Sequence, residues 1–116
     1  MRHRNVNKIL DRKQGPRKAL LRGLASNLIL YEKIKTTDGK ARALKPLLEK
    51  IITKGKPNNL VARRYLLKTL YSKNAVKKVL EVLSPRYLAR KGGYLRIVKL
   101  NQRLGDGAKM VLIEFV

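Results

Sequence analysis

Residues 16–37 read PRKALLRGLASNLILYEKIKTT, and this stretch decides the fold because a helical apolar pattern passes directly into an alternating one. Pro16 suits the start of a helix, where its missing N–H would have no partner. Apolar residues then recur at spacings of three and four, which predicts one buried helix face. These residues are Leu20, Leu24, Leu28 and Tyr31. Lys and Arg are absent from Gly23 to Glu32, so we expect the domain to pack around this helix.

A short strand and a second helix are predicted next. Residues 34–37 are alternating and rich in β-branched side chains, which is typical of a strand. Thr37 or Asp38 can cap the helix that follows. Its inward face is predicted to hold Ala41, Leu44, Leu48, Ile51 and Ile52. Pro46 lies inside this helix and is expected to kink it, because proline lacks the backbone N–H that a helix interior uses.

Two more helices follow the Gly-Pro-Asn break at residues 55–59. The third is predicted to carry the apolar residues Leu60, Ala62, Leu66, Leu67 and Leu70. The fourth is predicted to start at Ser72 or Asn74 and to end at Ser84-Pro85.

The C-terminal third predicts a β-hairpin. Residues 94–100 and 110–116 are apolar enough for strands, and the turn signal at 105–107 lies between them. The inward face of the last strand is expected to hold Val111, Ile113 and Phe115. The chain is therefore predicted to be an α/β domain of the α+β type, with two layers. About four helices would pack on a small three-stranded mixed sheet in the order α-β-α-α-α-β-β.

The charge of the chain predicts a polyanionic partner. Its 116 residues carry 29 Lys and Arg against 7 Asp and Glu, for a net charge of +22. Surface charge of one sign destabilises a compact fold unless an opposite charge offsets it. Nucleic acid fits because each phosphate that meets a cation releases bound counterions. Charge alone does not distinguish nucleic acid from two alternative partners, which are an anionic membrane surface and an acidic protein.

Neither catalysis nor a resident cofactor is predicted. The chain has no Cys, and His3 is its single His, so a metal site lacks the usual soft ligands. The seven carboxylates are scattered along the sequence, and the glycine pairs complete no phosphate-binding loop. No apolar run reaches the roughly 20 residues of a membrane span, and we expect no signal peptide.

The N-terminal segment, residues 1–16, is predicted to be an extended basic arm ahead of a globular domain at residues 17–116. It lacks a sustained apolar period, so it cannot bury enough surface to offset the entropy of ordering by itself. We expect it to become ordered on RNA. Its candidate RNA contacts from charge include Arg2, Arg4, Lys8, Arg12 and Lys13.

A second candidate RNA contact is the loop at residues 85–94. Arg86, Arg90 and Lys91 are placed to meet phosphates around the flexible pair Gly92-Gly93. We expect Gly92 to be required by the backbone conformation and Gly93 to allow close approach of a phosphate. Tyr87 and Tyr94 in the same loop are expected to close the edge of the core rather than stack on bases.

Three separated motifs resemble the bacterial large-subunit ribosomal protein family numbered seventeen. They are Met1-Arg2-His3-Arg4, then Ile34-Lys35-Thr36-Thr37 with Lys40-Ala41-Arg42, and Pro85-Arg86-Tyr87 with Gly92-Gly93-Tyr94-Leu95-Arg96-Ile97. Their order and spacing match the family over essentially the whole chain. Family members often have a His at the position of Pro16, so no side-chain contact with RNA is carried over there.

The resemblance implies a non-catalytic structural protein of the large ribosomal subunit. Such a protein is cytoplasmic, is present in one copy per ribosome, and binds large-subunit ribosomal RNA and neighbouring proteins near the polypeptide exit region. The RNA-binding positions that the motifs carry over are Arg2, His3, Arg4, Arg12, Arg17, Lys35, Thr36, Lys40, Arg42, Arg86, Gly92, Gly93 and Arg96. The alternative is a DNA-binding architectural protein, which the charge alone supports.

Overall fold

The computed structural model describes Leu10 and residues 13–116, and its elements follow the predicted order. They are α1 (Gln14–Tyr31), β1 (Lys33–Thr37), α2 (Asp38–Gly55), α3 (Leu60–Leu70), α4 (Lys73–Lys78), a π-helical turn (Val79–Leu83), α5 (Ser84–Arg86), β2 (Leu95–Lys99) and β3 (Met110–Phe115). The predicted α+β class is confirmed. Helix α1 begins two residues before Pro16, so the boundary proposed at residue 16 lies inside its first turn.

Helices α1 and α2 form the centre of the helical layer. Ala25, Leu28 and Ile29 of α1 are fully buried, as the charge-free segment predicted. The prediction that Tyr31 belongs to the buried face is wrong, because Tyr31 is the last residue of α1 and is 71% exposed. All five predicted inward residues of α2 are buried as well. Pro46 is exposed within α2, and the helix continues past it to Gly55.

Side-chain caps start the next two helices. Asn59 Oδ1 accepts a hydrogen bond of 2.9 Å from the N–H of Ala62 at the start of α3. Ser72 Oγ accepts one of 3.3 Å from the N–H of Ala75, which confirms Ser72 as the start of α4. The predicted end at Ser84-Pro85 is wrong, because helical structure continues to Arg86. The π-helical turn comes directly before Ser84, and Pro85 lies in the first turn of α5, where a proline is tolerated because its missing N–H would have no helical partner.

The three strands form one antiparallel sheet in the order β1-β3-β2, so the predicted mixed sheet is wrong. Ile113 of β3 pairs with Ile34 of β1 on one side and with Ile97 of β2 on the other. Strands β1 and β2 run in the same direction, but β3 lies between them and no parallel pair forms. Val111, Ile113 and Phe115 face the helices and are buried, as predicted.

Candidate nucleic-acid interface

One face of the sheet is covered by the helices, and no element in the described part of the chain covers the other. Because side chains alternate along a strand, the uncovered face holds the neighbours of the buried residues. This outer sheet face consists of Lys33, Lys35, Thr37, Arg96, Val98, Met110, Leu112 and Glu114. The register places Lys33, Glu114 and Arg96 in one row across the three strands. The fold thus brings Lys35 and Arg96, which belong to two separate sequence motifs, onto a single surface.

The charge of the outer sheet face is mostly uncompensated. Lys33 and Lys35 are exposed, and no carboxylate of the described residues lies within ion-pairing distance of either. Arg96 Nε donates a hydrogen bond of 2.6 Å to Glu114 Oε1, while the arginine side chain remains 61% exposed. Glu114 therefore orients Arg96 without shielding it. Lys33 was not among the residues predicted from the motifs, although its alternation with Lys35 is visible in the sequence.

At one end of the sheet, Glu32 forms ion pairs with two cationic side chains. Arg86 Nη1 donates a hydrogen bond to Glu32 Oε1. Lys78 Nζ donates to Glu32 Oε2 at 3.3 Å and to the carbonyl oxygen of Leu30 at 3.0 Å. The hydrogen bond from Arg86 lowers the pKa of Glu32, and partial burial opposes it. Arg86, a predicted RNA contact, is thus engaged in an ion pair that ties α5 to the start of β1.

The loop between α5 and β2 extends from this Glu32 end of the sheet. Arg90 and Lys91 are exposed there, and Arg90 Nε donates to the carbonyl oxygen of Gly92 at 3.3 Å. Lys56 Nζ donates to the carbonyl oxygen of Arg90 and lies 4.8 Å from the centroid of the Tyr94 ring. Sequence reasoning missed Lys56, since nothing local marks a contact between the end of α2 and this loop.

Tyr87 and Tyr94 close the core, as predicted. Their exposed fractions are 4% and 1%, and their ring centroids lie 5.2 Å apart. The Tyr87 hydroxyl donates to the carbonyl oxygen of Val116 at 2.8 Å. The Tyr94 hydroxyl lies 3.2 Å from Thr53 Oγ1. With both rings inside the protein, neither offers a face for base stacking in this structure.

Gly92 and Gly93 both adopt a positive φ, of 140° and 62°. The expectation that the backbone requires glycine at 92 is confirmed, and the left-handed conformation at 93 favours glycine as well. A β-carbon at either position would meet nothing within 4 Å, so the space beside this backbone is open.

The opposite end of the sheet, where α2 begins, holds the other predicted group. Arg42 Nε lies 3.1 Å from Asp38 Oδ2 in an ion pair within the first turn of α2. Lys40 is half-buried, and Thr36 is only 7% exposed because it lies on the core face of β1. We therefore leave the Thr36 side chain out of the candidate interface. Lys99 and Lys109, which the motifs did not indicate, border a cavity of about 180 Å³ at this Asp38 end.

The remaining predicted RNA contacts belong to the N-terminal segment. Lys13 is exposed directly before α1, and Arg17 is half-buried in its first turn. Arg2, His3, Arg4, Lys8 and Arg12 lie outside the described residues.

Within Leu10 and residues 13–116, no group of three or more His, Asp and Glu side chains could hold a metal ion. Over the same residues, no helix has the length and apolar character needed to cross a membrane.

Comparisons with known proteins point to the same family as the three sequence motifs do. The family model described as ribosomal protein L17 matches residues 20–116. The large ribosomal subunit protein bL17 of Exiguobacterium sp. is 47% identical over 112 residues, which cover 92% of this chain and 96% of that protein. The bL17 protein of Hydrogenobaculum sp. is 45% identical, with 100% of this chain and 99% of that protein covered. That of Syntrophotalea carbinolica is 42% identical, with 100% and 75% covered.

Proposed function

The chain belongs to the ribosomal protein L17 family, and on that premise we propose that it is a structural constituent of the large ribosomal subunit that binds large-subunit ribosomal RNA. Its relatives are named as large-subunit proteins, and the family is structural rather than enzymatic. The protein accordingly acts in the bacterial cytoplasm, bound to the ribosome. The RNA contact is the part of the proposal that the fold supports.

The observation that carries the RNA contact is the uncovered outer sheet face. Lys33 and Lys35 lie two residues apart on an edge strand, so their Cα atoms are about 7 Å apart and both side chains start from the same face. Two cations on one exposed strand can therefore contact neighbouring phosphates of one nucleic-acid strand. Arg96 on the opposite edge strand is oriented by Glu114 at 2.6 Å, which suits a directed phosphate contact. Arg90 and Lys91 extend the positive surface beyond the Glu32 end.

Binding of the full chain to large-subunit ribosomal RNA tests this proposal. If six to ten phosphates are neutralised, affinity should fall by roughly a thousandfold or more between about 50 and 200 mM salt. Duplex DNA of equal length serves as the competitor. A nearly flat salt dependence would contradict electrostatic binding of phosphates altogether. Equal competition by DNA would contradict specific RNA binding and would favour a general polyanion-binding protein.

The location near the polypeptide exit region, the single copy per subunit and the contacts with neighbouring ribosomal proteins are further parts of the proposal. They rest on the family resemblance. Sucrose-gradient sedimentation of a lysate should place the chain in the large-subunit fractions at one copy per subunit. Crosslinking of those subunits should connect it to proteins around the exit region. Recovery of the chain only in the free-protein fractions would contradict assembly.

The basic arm is proposed to order on RNA rather than to stabilise the domain. Removing residues 2–9 should leave the melting temperature nearly unchanged and should weaken incorporation into large subunits. Loss of the folded domain on truncation, or unchanged incorporation, would contradict this role.

A further inference from the structure

A groove of about 440 Å³ lies between α1 and α3, on a part of the surface that the predicted RNA contacts do not include. Leu21 and Tyr65 are partly buried in it and provide apolar surface. Lys18, Arg22 and Lys68 are its cations, and Tyr71 stands at its rim. The volume falls within the range of about 300–1,000 Å³ that is usual for small-ligand sites.

The charge of the groove is of one sign. Three of the side chains that line it are cationic, and no carboxylate of the described residues lines it. Lys18 and Lys68 are exposed on neighbouring helices, α1 and α3. The ligand that complements this site must therefore combine a negative charge with a flat or apolar body that fits beside tyrosine rings.

Tyr71 and Arg22 form a preorganised stacking surface. The Arg22 guanidinium carbon lies 3.7 Å from the centroid of the Tyr71 ring. Its Nε donates a hydrogen bond of 3.2 Å to the carbonyl oxygen of Thr69, which holds the guanidinium in place. Tyr71 adopts a left-handed conformation with φ 60° directly after α3. Its side chain is still 66% exposed, so one guanidinium does not cover the ring.

We propose that this groove binds one unpaired nucleotide of the RNA, with its base against the Tyr71 and Tyr65 rings and its phosphate between Lys18 and Lys68. The inference rests on the proposed RNA-binding function and adds a contact outside the outer sheet face. An unpaired nucleotide meets both requirements of the site, since every base offers an aromatic face and every phosphate a negative charge. Stacking on tyrosine is tolerant of sequence, so the contact selects single-stranded over paired RNA rather than a particular base.

Two matched probes separate base binding from phosphate binding. The first is a short single-stranded uridine oligonucleotide, and the second is an abasic strand of the same length. The full chain should bind the oligonucleotide about fivefold to tenfold more tightly than the abasic strand, as expected for one stacked base. In Tyr71→Asn this preference should fall to about twofold or less, because the more exposed of the two rings is lost while asparagine tolerates the left-handed backbone. Lys68→Gln should weaken binding of both probes, because it removes a phosphate contact only.

The control for the ring is Tyr31→Asn, since Tyr31 is 71% exposed at the end of α1 and does not line the groove. It should retain the preference for the base-containing strand. Thermal melting of each variant establishes that the comparison is between folded proteins.

The outcomes distinguish this inference from the proposed function. Normal binding of large-subunit ribosomal RNA with equal affinity for the two short probes would overturn the nucleotide site alone. The same holds if Tyr71→Asn keeps the full preference, because the base would then stack somewhere other than on Tyr71. Failure of the wild-type chain to bind ribosomal RNA would overturn both.

Discussion

Gly55 and Ser84 are in such close contact that a β-carbon at Gly55 would lie 2.7 Å from Ser84 Oγ and 3.0 Å from Val79 Cγ1. Gly55 is the last residue of α2, and Ser84 follows the π-helical turn that precedes α5. The missing side chain therefore allows two helical segments to approach closely. This approach also positions α5 and the basic loop that follows it.

Gly55→Ala should destabilise the protein by about 1–3 kcal/mol, because the added methyl group overpacks a buried contact. Gly23→Ala is the matched control. Gly23 lies exposed in the interior of α1, where a β-carbon meets nothing within 4 Å. That variant should gain roughly 0.5–1 kcal/mol through helix propensity. Denaturant unfolding measures both, and a Gly55→Ala protein as stable as wild type would refute the close contact.

Gly92 and Gly93 should differ in the substitutions they tolerate. At φ 140° a side chain is strained whatever its type, whereas φ 62° lies in the region that asparagine can adopt. Both Gly92→Ala and Gly92→Asn should therefore lose about 1 kcal/mol or more. Gly93→Asn should be less destabilising than Gly93→Ala. Thermal melts measure the stability of the four variants. A Gly92→Asn protein as stable as wild type, or a Gly93→Asn protein less stable than Gly93→Ala, would contradict the loop conformation.

The carboxyl group of Asp106 should have a much lower pKa than an ordinary aspartate. Hydrogen bonds from Arg103 and from the N–H of Ala108 lower its pKa from 3.8 to about 2. Because the folded-state pKa is depressed, the ionised carboxylate favours the folded loop above about pH 3.8, and this contribution is lost as the pH falls toward 2. Carboxyl-carbon NMR titration measures the shift.

Arg103→Gln should return the pKa of Asp106 toward 3.8, whereas Arg96→Gln, which breaks a different ion pair, should leave it unchanged. Equal titration of Asp106 in wild type and Arg103→Gln would show that Arg103 is not the cause.

The outer sheet face should account for more of the salt dependence than the helical layer does. The double variant Lys33→Gln/Lys35→Gln removes two exposed cations from one strand and should weaken binding to ribosomal RNA. It should also reduce the slope of log affinity against log salt by roughly 1.5–2. The control is Lys50→Gln/Lys77→Gln, which removes equal charge from exposed positions on α2 and α4. Equal losses in the two double variants would mean that net charge, and not this face, drives binding.

Much of the fold could be read from local periodicity. The buried face of α1 and the inward residues of β3 follow from spacings of about 3.6 and 2 along the chain, which neighbouring residues alone determine. The cap at Ser72 is equally local, because its hydroxyl reaches an N–H only three residues ahead. The helical residues around Pro85 do not follow from such local patterns, since the π-helical turn before them packs against Gly55 at the end of α2.

The net charge of +22 follows from the amino-acid composition alone, so a polyanionic partner could be predicted without any structure. Which cations are available to that partner depends on which carboxylates fold beside them. Arg86 is paired because the start of β1 brings Glu32 to it, whereas Lys35 remains unpaired on the outer sheet face. The insertion of β3 between β1 and β2 and the stacking of Arg22 on Tyr71 likewise join distant segments. These features depend on the tertiary structure, because the free energy of such contacts comes from packing between segments that are distant in the sequence and share no local pattern.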